Sequence, residues 1–193
     1  MLGPSALRRF RMIRPTDNLR SDHLVVARGL AVLAAIGDHV RNGGAFPADD
    51  CAIGLRFLRE FVIPVHLHKE ASVVCPALAM HGSEDAARLV GEVLRLHDEI
   101  VELTHSLVLF WEPTSDLSHD ERIGFADTVD AVVARLRRLE RMEEADLLPW
   151  CDQQVPVDDQ LEWVAGFERI ERDRSSRQVW AERLAPLAVS WVG

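Results

Sequence analysis

Four long stretches of the chain repeat apolar residues at positions i, i+3, i+4 and i+7, which is the period of one buried face of an α-helix. The alternating β-branched pattern of a half-buried strand is missing. Helices are predicted over about 21–41, 50–80, 83–111 and 120–148, with a fifth from about 158 and a sixth over about 177–191. Long amphipathic helices joined by short loops favour an all-α, up-down-up-down four-helix bundle with additional C-terminal helices.

The length of 193 residues suits one domain with extensions. We expect residues 21–152 to form the bundle and residues 153–193 to form a helical extension that packs on it. Residues 1–20 are a basic N-terminal arm, because they contain no glutamate and five arginines (Arg8, Arg9, Arg11, Arg14 and Arg20). The arm could dock on a partner or be a solvated terminus. The extension could cover a pocket, pack on the bundle or contact a second copy in a homodimer.

Charge and cysteine content limit the compartment and the partners of the chain. The formal net charge of −9 makes binding to nucleic acid or to an anionic membrane unfavourable. The sequence shows no signal peptide and no uncharged run of transmembrane length. Three widely spaced cysteines, Cys51, Cys75 and Cys151, argue against a disulfide framework. We therefore expect a cytoplasmic protein that binds neither nucleic acid nor membranes.

Polar side chains on otherwise apolar helix faces are the most informative residues. At a rotation of about 100° per residue, His23 points the same way as the apolar face of the first helix. In the second helix His66 and Glu70 both point in the apolar direction, and because they are four residues apart their side chains can reach one point. His39 and His68 fall on the other sides of the same two helices.

The third and fourth helices repeat this arrangement. His97 shares the apolar face of the third helix, and Glu140 and Glu143 lie on the apolar side of the fourth, where two carboxylates are costly unless something pairs with them. A core histidine or a boundary glutamate explains any one such residue, but four helices with the same feature favour a metal site. Mixed imidazole and carboxylate ligands inside a bundle suit iron, manganese or zinc. The candidate ligands are His23, His66, Glu70, His97, Glu140 and Glu143.

Several of these residues lie in segments that resemble a known family. The first helix carries Asp22-His23 near its start. Segment 61–78 contains an aromatic residue, His-x-x-x-Glu with lysine before the glutamate, an apolar pair and a proline. Segment 139–149 is similar to the second half of this pattern, since it places Glu143 at the ligand carboxylate and ends in Leu-x-Pro. Segment 167–172 is similar to the helix that commonly follows. Over about 20–172 the chain thus resembles the hemerythrin-like, HHE cation-binding proteins.

The resemblance implies a non-haem iron centre with two ions per chain, and zinc or manganese are alternatives. It implies terminal imidazole ligands from three helices and bridging or capping carboxylates from two (His23, His66 and His97; Glu70 and Glu143). Asp22 and Asp98 are candidates to orient groups nearby.

The chain departs from the family pattern at two positions. Leu96 precedes His97 where the family usually has glutamate, and Leu139 stands where the family has its fourth-helix histidine. The inward-facing Glu140 is a candidate replacement, which would make the centre richer in carboxylate. Loss of the imidazole could instead leave one metal or none.

Three functions follow from these alternatives. The first is a di-iron protein that interacts with O2, peroxide or NO in sensing, storage or detoxification. The second is a di-iron oxidase or oxygenase acting on a small organic substrate, which would need a pocket beside the metal. The third is a metal-free bundle that serves as a binding or regulatory module. The sequence assigns no catalytic residue and leaves open whether the chain is an enzyme.

Overall fold

The computed structural model describes residues 14–193 except 82, 113, 115, 173 and 175. Arg8, Arg9 and Arg11 of the predicted basic arm lie outside this part of the chain. The described residues form six helices without strands, and the structure is 89% helical. These helices are α1 (Pro15–Arg41), α2 (48–81), α3 (Glu84–Trp111), α4 (119–154), α5 (Val157–Arg172) and α6 (Arg177–Trp191). The predicted all-α bundle with additional C-terminal helices is therefore confirmed.

Serine side chains cap three of the helices. Ser83 Oγ accepts a hydrogen bond from the backbone N–H of Ala86 at the start of α3. Ser118 and Glu121 form a reciprocal capping box at the start of α4, and Ser176 caps α6. The first helix begins at Pro15, six residues before its predicted start at about residue 21, because proline has the backbone φ of a first helical residue and its missing N–H costs nothing there.

The second and fourth helices widen into π-helical turns at three places, namely Leu58–Leu67, Glu70–Val74 and Glu143–Leu147. Each segment contains the residue four positions before a proline (Glu60 before Pro64, Ser72 before Pro76, Ala145 before Pro149). A proline ring clashes with the carbonyl of that residue in an α-helix, and the wider turn relieves the clash. We predicted that the fourth helix stops at Pro149, and it continues to Gln154 for this reason. Pro186 lies within α6 without a π turn, so proline is not sufficient by itself.

The extension packs on the bundle through an aromatic contact. Trp180 of α6 is buried, and its ring centroid lies 5.5 Å from that of Phe57 in α2. Phe57 is also close to α1, since a methyl group at Gly29 would overlap its ring. Phe57 thus lies between α1 and α6 in a continuous apolar core.

Helix α1 is long and apolar enough, by length and composition alone, to cross a membrane. Of its most apolar stretch, 56% is buried inside the bundle, and a core helix of a bundle has the same composition. The buried face of α1 also carries Asp22 and His23. Its apolar character is therefore explained by packing.

Candidate metal centre

Glu70 and Glu143 occupy equivalent places in two helices. Each is the first residue of a five-residue π-helical segment and stands six positions before a proline. Both side chains are fully buried, where an isolated carboxylate is strongly disfavoured. Single π turns occur frequently at functional sites, and here the two turns place two carboxylates in the core.

Four of the predicted ligands converge on one point. His23 from α1, His66 and Glu70 from α2, and Glu143 from α4 each offer one ligand atom, and these atoms all lie within 4.8 Å of one another. All four side chains are buried. Three helices therefore bring two imidazoles and two carboxylates together, a donor set that suits first-row divalent metals.

The ring of His23 is held between two neighbouring carboxylates. Its Nε2 lies 2.9 Å from Oε2 of Glu143, and its Nδ1 lies 2.7 Å from Oε1 of Glu144. Arg20 Nε approaches the other oxygen of Glu144 at 3.4 Å. A histidine that binds a metal commonly donates its other ring N–H to a carboxylate. Glu144 is placed for that role, which leaves Nε2 directed at the cluster.

Glu70 faces a different imidazole with each of its two oxygens. Oε2 lies 2.9 Å from Nε2 of His97. Oε1 lies 3.3 Å from Nε2 of His66, yet neither of these two atoms has a hydrogen-bond partner, so they lie side by side rather than pointing at each other. This is the arrangement of two ligands aimed at one point. His97 thus joins the centre on the far side of the Glu70 carboxylate.

His66 is fully buried, and its other nitrogen faces Asp22. Nδ1 lies 3.8 Å from Oδ2 of Asp22, which is too long for a hydrogen bond but close enough for an ionic attraction. Burial alone would raise the pKa of Asp22, but His66, Lys69 and Arg177 hold it well below its usual range. Asp22 is therefore a carboxylate anion on the outer side of the His66 ring.

Two groups of the cluster, the Glu143 carboxyl and the His66 imidazole, favour their protonated forms at neutral pH. Burial and the Glu70 carboxylate raise the pKa of Glu143 to about 8. Burial disfavours the charged form of His66, but Glu70, Asp22 and Glu143 outweigh it and raise its pKa to about 9. Burial opposes ionisation of Glu70 as well, and His66 and His97 lower its pKa. Without a metal, protons on Glu143 and His66 therefore supply the positive charge that a bound cation would supply.

Unsatisfied polar atoms test whether the residues fit a metal ion. Among the described residues, the buried atoms without a hydrogen-bond partner include five in this region: Nδ1 and Nε2 of His66, and one oxygen each of Glu70, Glu140 and Glu143. Buried polar groups are normally paired, and each exception calls for an explanation. A cation bound by His66 Nε2 and the free carboxylate oxygens would satisfy most of them, so the residues fit a divalent metal.

Two of the candidate ligands lie outside the group of four. His97 is buried and reaches the centre through Glu70. Glu140 is half-buried one turn before Glu143; burial raises its pKa, and the imidazoles of His23 and His66 lower it in part. The guanidinium of Arg137 lowers it as well. Leu139 is fully buried among apolar residues.

Two aspartates were predicted to orient groups near the site, and the structure places only one of them there. Asp22 faces His66, as expected. The prediction for Asp98 is wrong, because α3 turns that side chain towards solvent. The contact of Glu144 with His23 was not predicted, although Glu144 adjoins Glu143. On an ideal α-helix the Glu144 side chain points further from the apolar face than that of Glu143.

Three surface clefts, of about 430, 390 and 360 Å³, lie along the described chain. None of them is lined by a candidate ligand. The largest lies between α1 and α6 and includes Arg28 and Val189. These clefts do not provide the pocket beside the metal that an oxidase of organic substrates would need.

A comparison with protein families identifies the fold and the kind of site. Residues 14–151 match the family described as the hemerythrin HHE cation binding domain. No curated protein and no solved structure matched the chain. The family match covers well over half of the sequence, and it includes all six candidate ligands. The chain therefore belongs to the hemerythrin HHE cation-binding domain family.

Proposed function

We propose that the chain is a non-haem iron protein with two metal positions that share Glu70. The observation that carries this proposal is the placement of Glu70, whose Oε1 lies beside His66 and whose Oε2 lies beside His97. A carboxylate between two imidazoles at these distances can bind two cations at once. Membership of a cation-binding family supports the same conclusion.

The two positions differ in the donors that surround them. The first is bounded by His23, His66, Glu70 and Glu143, whose ligand atoms lie within 4.8 Å of one another. Glu140 is close enough to His23 and His66 for their charges to lower its pKa. The second has His97 and Oε2 of Glu70. We therefore propose that the first position binds iron tightly and the second weakly, because the family's fourth-helix imidazole is replaced by Leu139.

The surroundings of the site favour small ligands over an organic substrate. Bound iron supplies electron transfer and the capacity to bind O2, peroxide or NO. The chain itself supplies fixed imidazoles, a buried environment that limits access of water, and Glu143, whose raised pKa allows it to hold a proton at its carboxylate. His23 and His97 keep slight exposure, 7% and 6%, whereas His66, Glu70 and Glu143 are fully buried. We propose a role in sensing, storage or detoxification of these small ligands.

Metal content of matched variants tests the proposal. Protein from iron-supplemented cells is analysed for metal and for charge-transfer absorption in air, as wild type, His66→Ala and His68→Ala. His68 is an exposed histidine two positions from His66 in the same helix, so it controls for loss of a histidine. We expect more than one iron per wild-type chain at saturation, the same for His68→Ala, and substantial loss for His66→Ala.

The alternative functions predict other outcomes. Wild-type protein without metal, whose thermal stability does not change on addition of iron, would support the metal-free module and refute the proposal. A single zinc ion without absorption in the visible range would restrict the centre to one position and exclude chemistry with O2.

A further inference from the structure

A closed polar network joins the C-terminal extension to the candidate metal centre. Lys69 is fully buried, and its ammonium group has three donors that reach three acceptors. These are Oδ1 of Asn18 at 2.8 Å, Oδ2 of Asp22 at 2.8 Å and Oε1 of Glu171 at 2.5 Å. Glu171 belongs to α5, so the extension provides one third of the partners of a lysine that directly precedes Glu70.

Arg177 of α6 closes the network from the other side. Its Nε donates to Oδ1 of Asp22 at 2.6 Å, and one Nη donates to the backbone carbonyl of Asn18 at 3.0 Å. The two Asp22 oxygens are thus held by two different cations, Lys69 and Arg177. Two anions and two cations balance, and the fully buried pair, Lys69 and Asp22, requires such pairing.

The orientation of Asp22 bears directly on a predicted ligand. With Oδ1 fixed by Arg177 and Oδ2 fixed by Lys69, the carboxylate presents Oδ2 to Nδ1 of His66 at 3.8 Å. A histidine held in this way offers its opposite nitrogen, Nε2, to a metal. Without Arg177, nothing among the described contacts would fix Oδ1, and the carboxylate could rotate away from the imidazole.

We infer that Arg177 and Glu171 are positioning residues of the metal centre, and that the C-terminal extension completes the support of His66 through Asp22 and Lys69. The inference rests on the proposed function only in requiring that a divalent cation binds His66. Both residues lie beyond the segment 14–151 that matches the family.

Zn2+ affinity of the full-length protein tests the inference, measured by competition with a chelator for wild type, Arg177→Gln, Asp22→Asn and the double variant. We expect Arg177→Gln to weaken binding by about tenfold and Asp22→Asn by about 10- to 100-fold, the range for outer residues of metal sites. In the double variant, Arg177→Gln should add no further loss, because Arg177 acts through Asp22. Arg177→Lys should recover part of the affinity.

Arg172→Gln is the matched control, since Arg172 is an exposed arginine of the extension without a hydrogen bond or ion pair to the described residues. Its affinity should stay within about twofold of wild type. Equal affinities of wild type and Arg177→Gln would overturn the inference, as would additive losses in the double variant or a wild type that does not bind Zn2+. Wild type that binds Zn2+ but not iron would overturn the proposed function alone.

Discussion

Introducing a histidine at Leu139 should create the ligand that the second metal position lacks. Leu139 is fully buried, so Leu139→His forfeits the burial of a leucine, about 2 kcal/mol. It also leaves unpaired imidazole atoms in the core, at a further cost of about 1–3 kcal/mol. The metal-free variant should therefore unfold at a temperature about 6–20 °C lower than wild type.

Metal should reverse much of this loss if the imidazole reaches the centre. A metal present at 100 times its Kd stabilises the folded state by about 2.7 kcal/mol, which corresponds to roughly 5–11 °C. Differential scanning calorimetry with and without Fe2+, under anaerobic conditions, measures both effects, and elemental analysis counts the ions.

A second leucine of the same helix provides the control for this experiment. Leu136 is also fully buried, one turn before Leu139. Leu136→His should lose similar stability, bind no additional iron and gain nothing from Fe2+ beyond the wild-type increase. If Leu139→His behaved in the same way as Leu136→His, Leu139 would not adjoin the second position and the argument for two unequal positions would fail.

Three further predictions concern the pH dependence of metal binding, the contact that orients His23, and the packing of a helix glycine. Zn2+ affinity should rise from pH 6 to pH 9, because the metal must displace protons from Glu143 (pKa about 8) and His66 (pKa about 9), and a flat profile would contradict these assignments. Glu144→Gln should weaken Zn2+ binding by about tenfold, because Glu144 contacts His23 Nδ1, whereas the exposed Glu102→Gln should not. Gly29→Ala should lower the free energy of unfolding by about 1–3 kcal/mol through overlap with Phe57, while Gly91→Ala, at an open helical position, should raise it by about 0.5–1 kcal/mol in urea titrations.

Hydrophobic periodicity was sufficient to predict the helices and the inward direction of the main candidate ligands. Helices bury one stripe, so a histidine or glutamate within that stripe must enter the core, and His23, His66, Glu70 and Glu143 do so together. The π turns were outside the reach of this reasoning. A fixed rotation of about 100° per residue does not apply through them, which is why the contact of Glu144 with His23 was missed.

Long-range contacts were the other part that the sequence could not provide. Arg177 contacts Asp22 across 155 positions of the chain, and no local pattern links the two residues. Lys69 enters the sequence analysis only as the lysine before Glu70, yet it is fully buried. Its acceptors come from α1 and α5, and only the packing of the extension brings them together.

The network around Lys69 and Asp22 also determines how the protein can be shortened. A fragment ending at the boundary of the family match, residue 151, would retain Asp22 and Lys69 but lose Glu171 and Arg177. It would also uncover the face of Phe57 that Trp180 covers. Such a fragment would contain every candidate ligand, yet weak metal binding by it would reflect the lost partners of Asp22 and Lys69 and the exposed aromatic surface rather than the ligands themselves.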